Sequence, residues 1–210
     1  MSRAVFLQPD SVGADNSIQP HYRARRQQAA SMNHANHLRQ IAIHIEATGI
    51  DPADGHRLVE LGAVELIDRQ FTGRSLHFFA NPGREVDPAA QAIHGLSDEF
   101  LRDMPTFSEV AGELVSFLAG ANVIFHNAPF HATFLNRELI FADIDPLETL
   151  CRKLIDTLVL ARDCRPDQKN GLDTLRKELD IEIPGDAEGC LAEAHLVANI
   201  YLRLSKEDLH

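Results

Sequence analysis

Ile41-Ala42-Ile43-His44-Ile45-Glu46-Ala47-Thr48-Gly49 alternates isoleucine at 41, 43 and 45 with Ala42, His44 and Glu46. A period of two is that of a β-strand, so His44 and Glu46 project from one face and Thr48-Gly49 turns the chain at the strand end. Two side chains able to hold a metal or a proton at the end of a buried strand mark a place for chemistry. The rest of the chain has to say which chemistry.

Around this strand the pattern is regular. Residues 39–46, 58–67 and 74–80 read as three strands, with Asp51-Pro52 and the stretch from Asp68 to Gly73 as turns. Pro88 to Ile93 and Ser97 to Leu101 read as short helical turns on either side of His94-Gly95. Phe107, Val110, Ala111, Leu114, Phe117 and Leu118 have helical spacing, with Ser108 and Glu109 in the first turn. Asn122 to Phe125 is a short buried strand, and Pro129 stands near the start of a helix that runs to about Phe141. A strand at 153–155, helices at 157–162 and 171–179, and a last helix from about Glu188 to Leu204 complete the reading. Three strands followed by alternating helix and strand imply an α/β fold, a mixed five-stranded sheet flanked by helices.

Composition sets the bounds. The 210 residues, 44% hydrophobic and 24% charged, suffice for one globular domain at residues 39–210. Residues 1–38 are rich in Ser, Asn, Gln, His and Arg, without an apolar period, and are expected to form a flexible tail. Its Arg23, Arg25 and Arg26 form either a solvated linker or a contact for nucleic acid or an acidic partner. The net charge is −11; the tail holds four Arg against two Asp, which leaves −13 for the domain. So acidic a body argues against a protein that coats nucleic acid through many phosphate contacts, though not against an enzyme that handles one chain end. Cys151, Cys164 and Cys190 lack metal-type spacing and are expected to be buried or inert thiols. No apolar run is long enough to span a membrane and no signal-peptide pattern opens the sequence, so a reducing cytoplasm is the expected setting. His34, His37 and His56 read as surface residues.

Several ordered blocks carry a resemblance. They are Glu46-Ala47-Thr48-Gly49, Leu58 to Val64, Ile93-His94-Gly95-Leu96, His126-Asn127-Ala128-Pro129-Phe130-His131, Asp156-Thr157-Leu158, Asn170 to Leu175, and Ala187 to Ala194. In this order and spacing the stretch 39–204 resembles the DnaQ-like 3′–5′ exonucleases of the DEDDh group, above all the proofreading epsilon branch of bacterial DNA polymerase III. The resemblance implies a ribonuclease H-like exonuclease fold. It also implies four carboxylates holding two divalent metals, and a histidine before the last helix as general base. Single-stranded DNA or RNA 3′ ends and a DNA polymerase subunit are the implied partners. Thr48, Gly49, His94 and Asn127 match nucleotide-binding positions. The replicative members continue into a polymerase-binding tail, for which the segment from Ser205 to His210 offers no counterpart.

The catalytic positions depart from that pattern. The first Asp is His44, the second Asp is His131, the last Asp is Glu193 and the base position holds Glu188; Glu46 alone is retained. Two carboxylates remain where the family has four, and an imidazole supplies no negative charge in either protonation state. Mg2+ prefers hard oxygen ligands, so two adjacent Mg2+ ions are poorly compensated here. The expectation is a protein without conventional two-Mg2+ exonuclease activity that acts by binding nucleic acid or protein. The alternative is an exonuclease or phosphoesterase using one Zn, Mn or Fe ion on His44, Glu46, His131 and Glu193, with Glu188 as an altered base. Read without the resemblance, His44 and His131 are hydrogen-bonded polar residues, Glu188 and Glu193 are solvated helix residues, and no metal is bound. In that reading Thr48-Gly49 and His94-Gly95 are turns and Asn127 is a helix cap.

Overall fold

The computed structural model describes residues 38–205. Residues 1–37, which include the expected basic cluster together with His34 and His37, lie outside the described residues, as do residues 206–210. Five strands form one sheet in the order β3-β2-β1-β4-β5: β1 Arg39–Ala47, β2 Leu58–Ile67, β3 Gln70–Phe79, β4 Asn122–Phe125 and β5 Lys153–Asp156. The first three are antiparallel neighbours, and β4 and β5 run parallel to β1, which makes the sheet mixed. The helices are α1 Pro88–His94, α2 Asp98–Arg102, α3 Phe107–Leu118, α4 Ala128–Phe141, α5 Leu147–Leu150, α6 Thr157–Cys164, α7 Leu172–Glu178 and α8 Gly189–Leu204.

The alternation of β1 separates two cores. Ile41, Ile43 and Ile45 face a cluster with Phe107, Leu114 and Leu118 of α3 and Phe134, Leu135 and Leu139 of α4. Ala42 faces the other side, against Ala194, Val197, Ala198 and Tyr201 of α8. His44 and Glu46 continue this second face, so the strand that builds the core also delivers the polar pair under α8. β4 is buried at all four residues, as a central strand covered on both faces must be. Thr106 and Glu109 start α3 with a reciprocal cap, the Thr106 amide donating to Glu109 Oε2 at 2.7 Å.

The start of β3 and one short helix depart from the sequence reading by more than a residue or two. β3 begins at Gln70 rather than 74, because the turn is Asp68-Arg69 alone, both at positive φ (49° and 65°), with Ile67 paired to Gln70. That is the geometry of a tight two-residue hairpin, achieved without glycine. The one-turn helix α5 is too short for a periodic signal and was absent from the expected elements.

Candidate functional site

Sheet register places the site. His44 stands opposite Gly62 and Glu46 opposite Glu60 on β2; on the next strand Gly62 pairs with His77. Gly62 is the saddle on which α8 sits: a Cβ there would lie 2.2 Å from the Cys190 carbonyl carbon and 2.3 Å from Leu191 N. Only a bare backbone lets the helix come so close. Glu60, 3% exposed, fixes the same helix start, accepting from Cys190 N at 2.8 Å and from His77 Nε2 at 2.7 Å. Gly189 bends the chain into α8 at φ 51°, and a Cβ on it would strike Glu60 Oε1.

This seating brings Glu193 of α8 towards the end of β1. His44 Nε2 lies 3.6 Å from Glu46 Oε1, and the His44 ring lies 4.9 Å from that of His131, centre to centre. His131 is buried on α4 and stacks on Phe125 with ring centres 5.6 Å apart and planes 3° from parallel. Burial pushes His131 down to about 3; the His44 and His126 charges act the same way, against a backbone hydrogen bond at His126. His131 is therefore neutral at neutral pH. Burial also raises the Glu193 carboxyl above its ordinary value, with Asp173 and Glu46 adding to the rise and His44 and Arg176 opposing it.

His44, Glu46 and His131 are thus close together, and Glu193 is within electrostatic reach of His44 and Glu46. Among the described residues no group of three or more His, Cys, Asp or Glu side chains is arranged to hold a metal ion. The two divalent ions that the fold family implies do not fit this donor set, in which the imidazoles of His44 and His131 leave only the carboxylates of Glu46 and Glu193. The Nδ1 atoms of both His44 and His131 are buried and make no hydrogen bond. Glu188 is exposed at the N-cap position of α8, without a side-chain cap bond.

The nucleotide-binding candidates fall into two groups. Thr48 is fully buried, its hydroxyl accepting from Arg57 N at 3.0 Å and standing 3.1 Å from His56 Nδ1. His56 is correspondingly 8% exposed, not a surface residue, and its ring occupies the space beside Gly49, where a Cβ would meet it at 2.3 Å. Asp87 N donates to the Thr48 carbonyl at 2.9 Å, which ties the turn after β1 to the start of α1 and so to the His94-Gly95 turn. His94 Nδ1 accepts from Leu96 N at 3.1 Å, with Gly95 in the left-handed region at φ 76°. Asn127 precedes α4 at φ 69°, exposed and without a side-chain cap bond. Asp156 caps that helix instead, accepting from Asn127 N at 2.9 Å and Ala128 N at 3.0 Å.

Sequence reasoning missed Glu60, His77 and His56, and gave Asp156 no role. An acidic residue inside the apolar run Leu58 to Val64 was the one available signal for Glu60. The cysteines are all free; Cys151 and Cys190 are buried as expected, whereas Cys164 is exposed.

An exonuclease family model, that of RNase T, matches residues 41–189, which is most of the chain. The chain belongs to this exonuclease family. Within it, the DnaQ-like epsilon group is shown by relatives that bear one name. The DNA polymerase III subunit epsilon of Rickettsia felis is 42% identical over 172 residues, covering 80% of this chain and 74% of that protein. Its counterpart in Escherichia coli K12 is 38% identical over 174 residues, covering 80% and 71%. The fold recurs in E. coli exonuclease I in complex with a dT13 oligonucleotide, at a TM-score of 0.70, 16% identity, and coverage of 81% of this chain and 41% of that one. Exonuclease X in complex with 5′-overhanging duplex DNA aligns at a TM-score of 0.58 and 22% identity, covering 78% of this chain and 90% of that one. The chain spans about two fifths of exonuclease I. Among the described residues no helix is long and apolar enough to cross a membrane.

Proposed function

We propose that this chain is an epsilon-type exonuclease-fold protein that binds the 3′ end of a single-stranded nucleic acid, DNA or RNA, without conventional two-Mg2+ hydrolysis. The observation that carries this is the His44–His131 pair, with ring centres 4.9 Å apart and His131 neutral, at positions where the family holds metal through carboxylates. The frame around the pair supports binding: Thr48, Gly49, His94 and Asn127 keep the family's letters, and the Thr48–His56 and Asp156 contacts hold two of the turns. The epsilon relatives are named as DNA polymerase III subunits, and a structural neighbour is described with a bound oligonucleotide, which supports a role beside a polymerase subunit in the cytoplasm. The experiment is binding and degradation of 5′-labelled single-stranded DNA by pure protein in Mg2+. Binding without shortening supports the reading; shortening that depends on Glu46 refutes it.

A second reading is favoured by one observation, the two buried unpaired Nδ1 atoms of His44 and His131. Here His44, Glu46, His131 and Glu193 reposition to take one Zn2+, Mn2+ or Fe2+ ion, and Glu188 serves as base. Metal analysis of the purified protein and activity across these three ions separate the readings. A stoichiometric metal that is lost in the His44→Ala variant establishes the second.

A further inference from the structure

Of Thr48-Gly49-Ile50, which turns the chain after β1, Thr48 is fully buried, Gly49 is half-buried and Ile50 is 85% exposed. The Thr48 hydroxyl therefore faces the protein and not a ligand. Arg57 N donates to its Oγ1 at 3.0 Å, and His56 Nδ1 stands 3.1 Å from the same oxygen. The other edge of the His56 ring faces Asp87, with Nε2 3.5 Å from Oδ2. In a neutral ring the carboxylate on that side keeps the proton on Nε2, so Nδ1 accepts from the Thr48 hydroxyl. Asp87, His56 and Thr48 thus form a chain of side chains that joins the turn after β1 to the residue where α1 begins. The main chain repeats the link, Asp87 N donating to the Thr48 carbonyl at 2.9 Å. The short helix α1, seven residues long, carries it on to the His94-Gly95 turn.

Two features show that local stability yields to this arrangement. Asp87 occupies the N-cap position of α1, where an aspartate ordinarily accepts from the first amides of the helix, yet its side chain makes no cap bond. Its carboxylate instead faces His56 and, at 4.0 Å, Arg84 Nη2. Gly49 is the second feature. The His56 ring fills the space that a Cβ there would need, with Cε1 at 2.3 Å and Nδ1 at 2.5 Å, so the ring rests directly on the backbone of the turn. A cap forgone and a glycine required, both for one histidine, are the kind of local exception that accompanies a functional site.

We infer that Asp87, His56 and Thr48 form a positioning relay for the strand-end site. Asp87 fixes the tautomer of His56, and His56 holds the Thr48 hydroxyl and the Gly49 backbone. The relay so sets the spacing of the two turns, Gly49-Ile50 and His94-Gly95, between which the strand end is received. Its three members act through those turns and not by touching the nucleic acid. The inference rests on the proposed binding of a nucleic-acid end and adds the residues that hold its geometry.

The test compares the full chain with its Asp87→Asn and Asp87→Glu variants; the Asp87 side chain is 51% exposed, so neither change burdens the core. Long-range 1H–15N NMR spectra read the His56 tautomer, fluorescence anisotropy with a 5′-fluorescein dT12 oligonucleotide in Mg2+ reads binding, and urea denaturation reads stability. In the parent, His56 should carry its ring proton on Nε2. Asp87→Asn should move the ring towards the Nδ1–H form and weaken dT12 binding about tenfold, the scale on which the outer partners of a site act. Its urea midpoint should stay within about 0.3 M of the parent. Asp87→Glu, which keeps the carboxylate, should restore the Nε2–H form and most of the affinity. An Asp87→Asn variant that binds as tightly as the parent, or that loses affinity only together with its urea midpoint, overturns the relay and leaves the proposed function standing. A parent His56 protonated on Nδ1 does the same. No dT12 binding by the parent overturns the proposed function, and the relay with it.

Discussion

Gly62→Ala places a methyl group inside the backbone of the helix that carries Glu193. The added Cβ would stand 2.2 Å from the Cys190 carbonyl carbon, 2.3 Å from its oxygen and 2.3 Å from Leu191 N, where ordinary contact begins near 3.4 Å. The obstacle is main chain at the start of α8, so no rotamer change relieves it. The helix start must lift by more than about 1 Å, and overpacking on this scale costs about 1–3 kcal/mol. The same lift stretches the 2.8 Å bond from Cys190 N to Glu60, and an unsatisfied buried partner adds about 1–3 kcal/mol. The two costs overlap, so about 2–4 kcal/mol is expected in total. Urea denaturation followed by circular dichroism reads this directly: with a slope near 2 kcal/mol per M, the midpoint falls by about 1–2 M. A midpoint within about 0.3 M of the parent would show that α8 is not seated on β2 through Gly62. The placement of Glu193 beside His44 would then lose its support.

Other outcomes follow from single contacts. Glu138 is 2% exposed on α4 and accepts from Arg57 Nε and Nη2, both at 2.7 Å, and from Leu58 N at 3.1 Å; Glu138→Ala should cost about 3 kcal/mol in the same denaturation assay. His131, pushed down to about 3 by burial, takes up no proton in the folded state as pH falls from 6.5 towards 4, whereas the unfolded chain does. Its contribution therefore makes stability fall with falling pH across that window, by up to about 1.4 kcal/mol per pH unit, and its ring NMR signals should not titrate at pH 5. Glu65 acts in the same direction at lower pH. Burial pushes its carboxyl up, but hydrogen bonds from Arg39 and Thr72 and the charges of Arg39 and Arg74 bring it below the ordinary value. It is ionised at neutral pH in both states, so its stabilisation is full above the ordinary carboxylate range and is lost as pH falls through that range, a loss that Glu65→Gln should abolish. Gly49→Ala forces the His56 ring off Thr48, and the loss should appear as a His56 resonance that becomes solvent-exposed.

The sheet was legible because β1 alternates and β2 is a long, mostly apolar run, and α3 because its apolar residues recur every three or four positions. The start of β3 was not, since Asp68-Arg69 adopts a turn conformation that usually advertises itself through glycine. At the site, the projection of His44 and Glu46 from one face followed from strand period alone, and their 3.6 Å separation agrees with it. What one dimension hides is the partner on another strand. Glu60 meets His77 only through the β2–β3 register, and His56 is buried only because Gly49 and Thr48 leave room for its ring. Asn127 carried the letters of a cap, yet Asp156, distant in sequence, does the capping.

The most direct test of the altered site is incubation of 5′-labelled single-stranded DNA with the pure chain in Mg2+, beside its Glu46→Ala variant. The oligonucleotide should stay unshortened, with no difference in end-point length between the two proteins. A ladder of 3′-shortened products that disappears on Glu46→Ala would contradict that expectation.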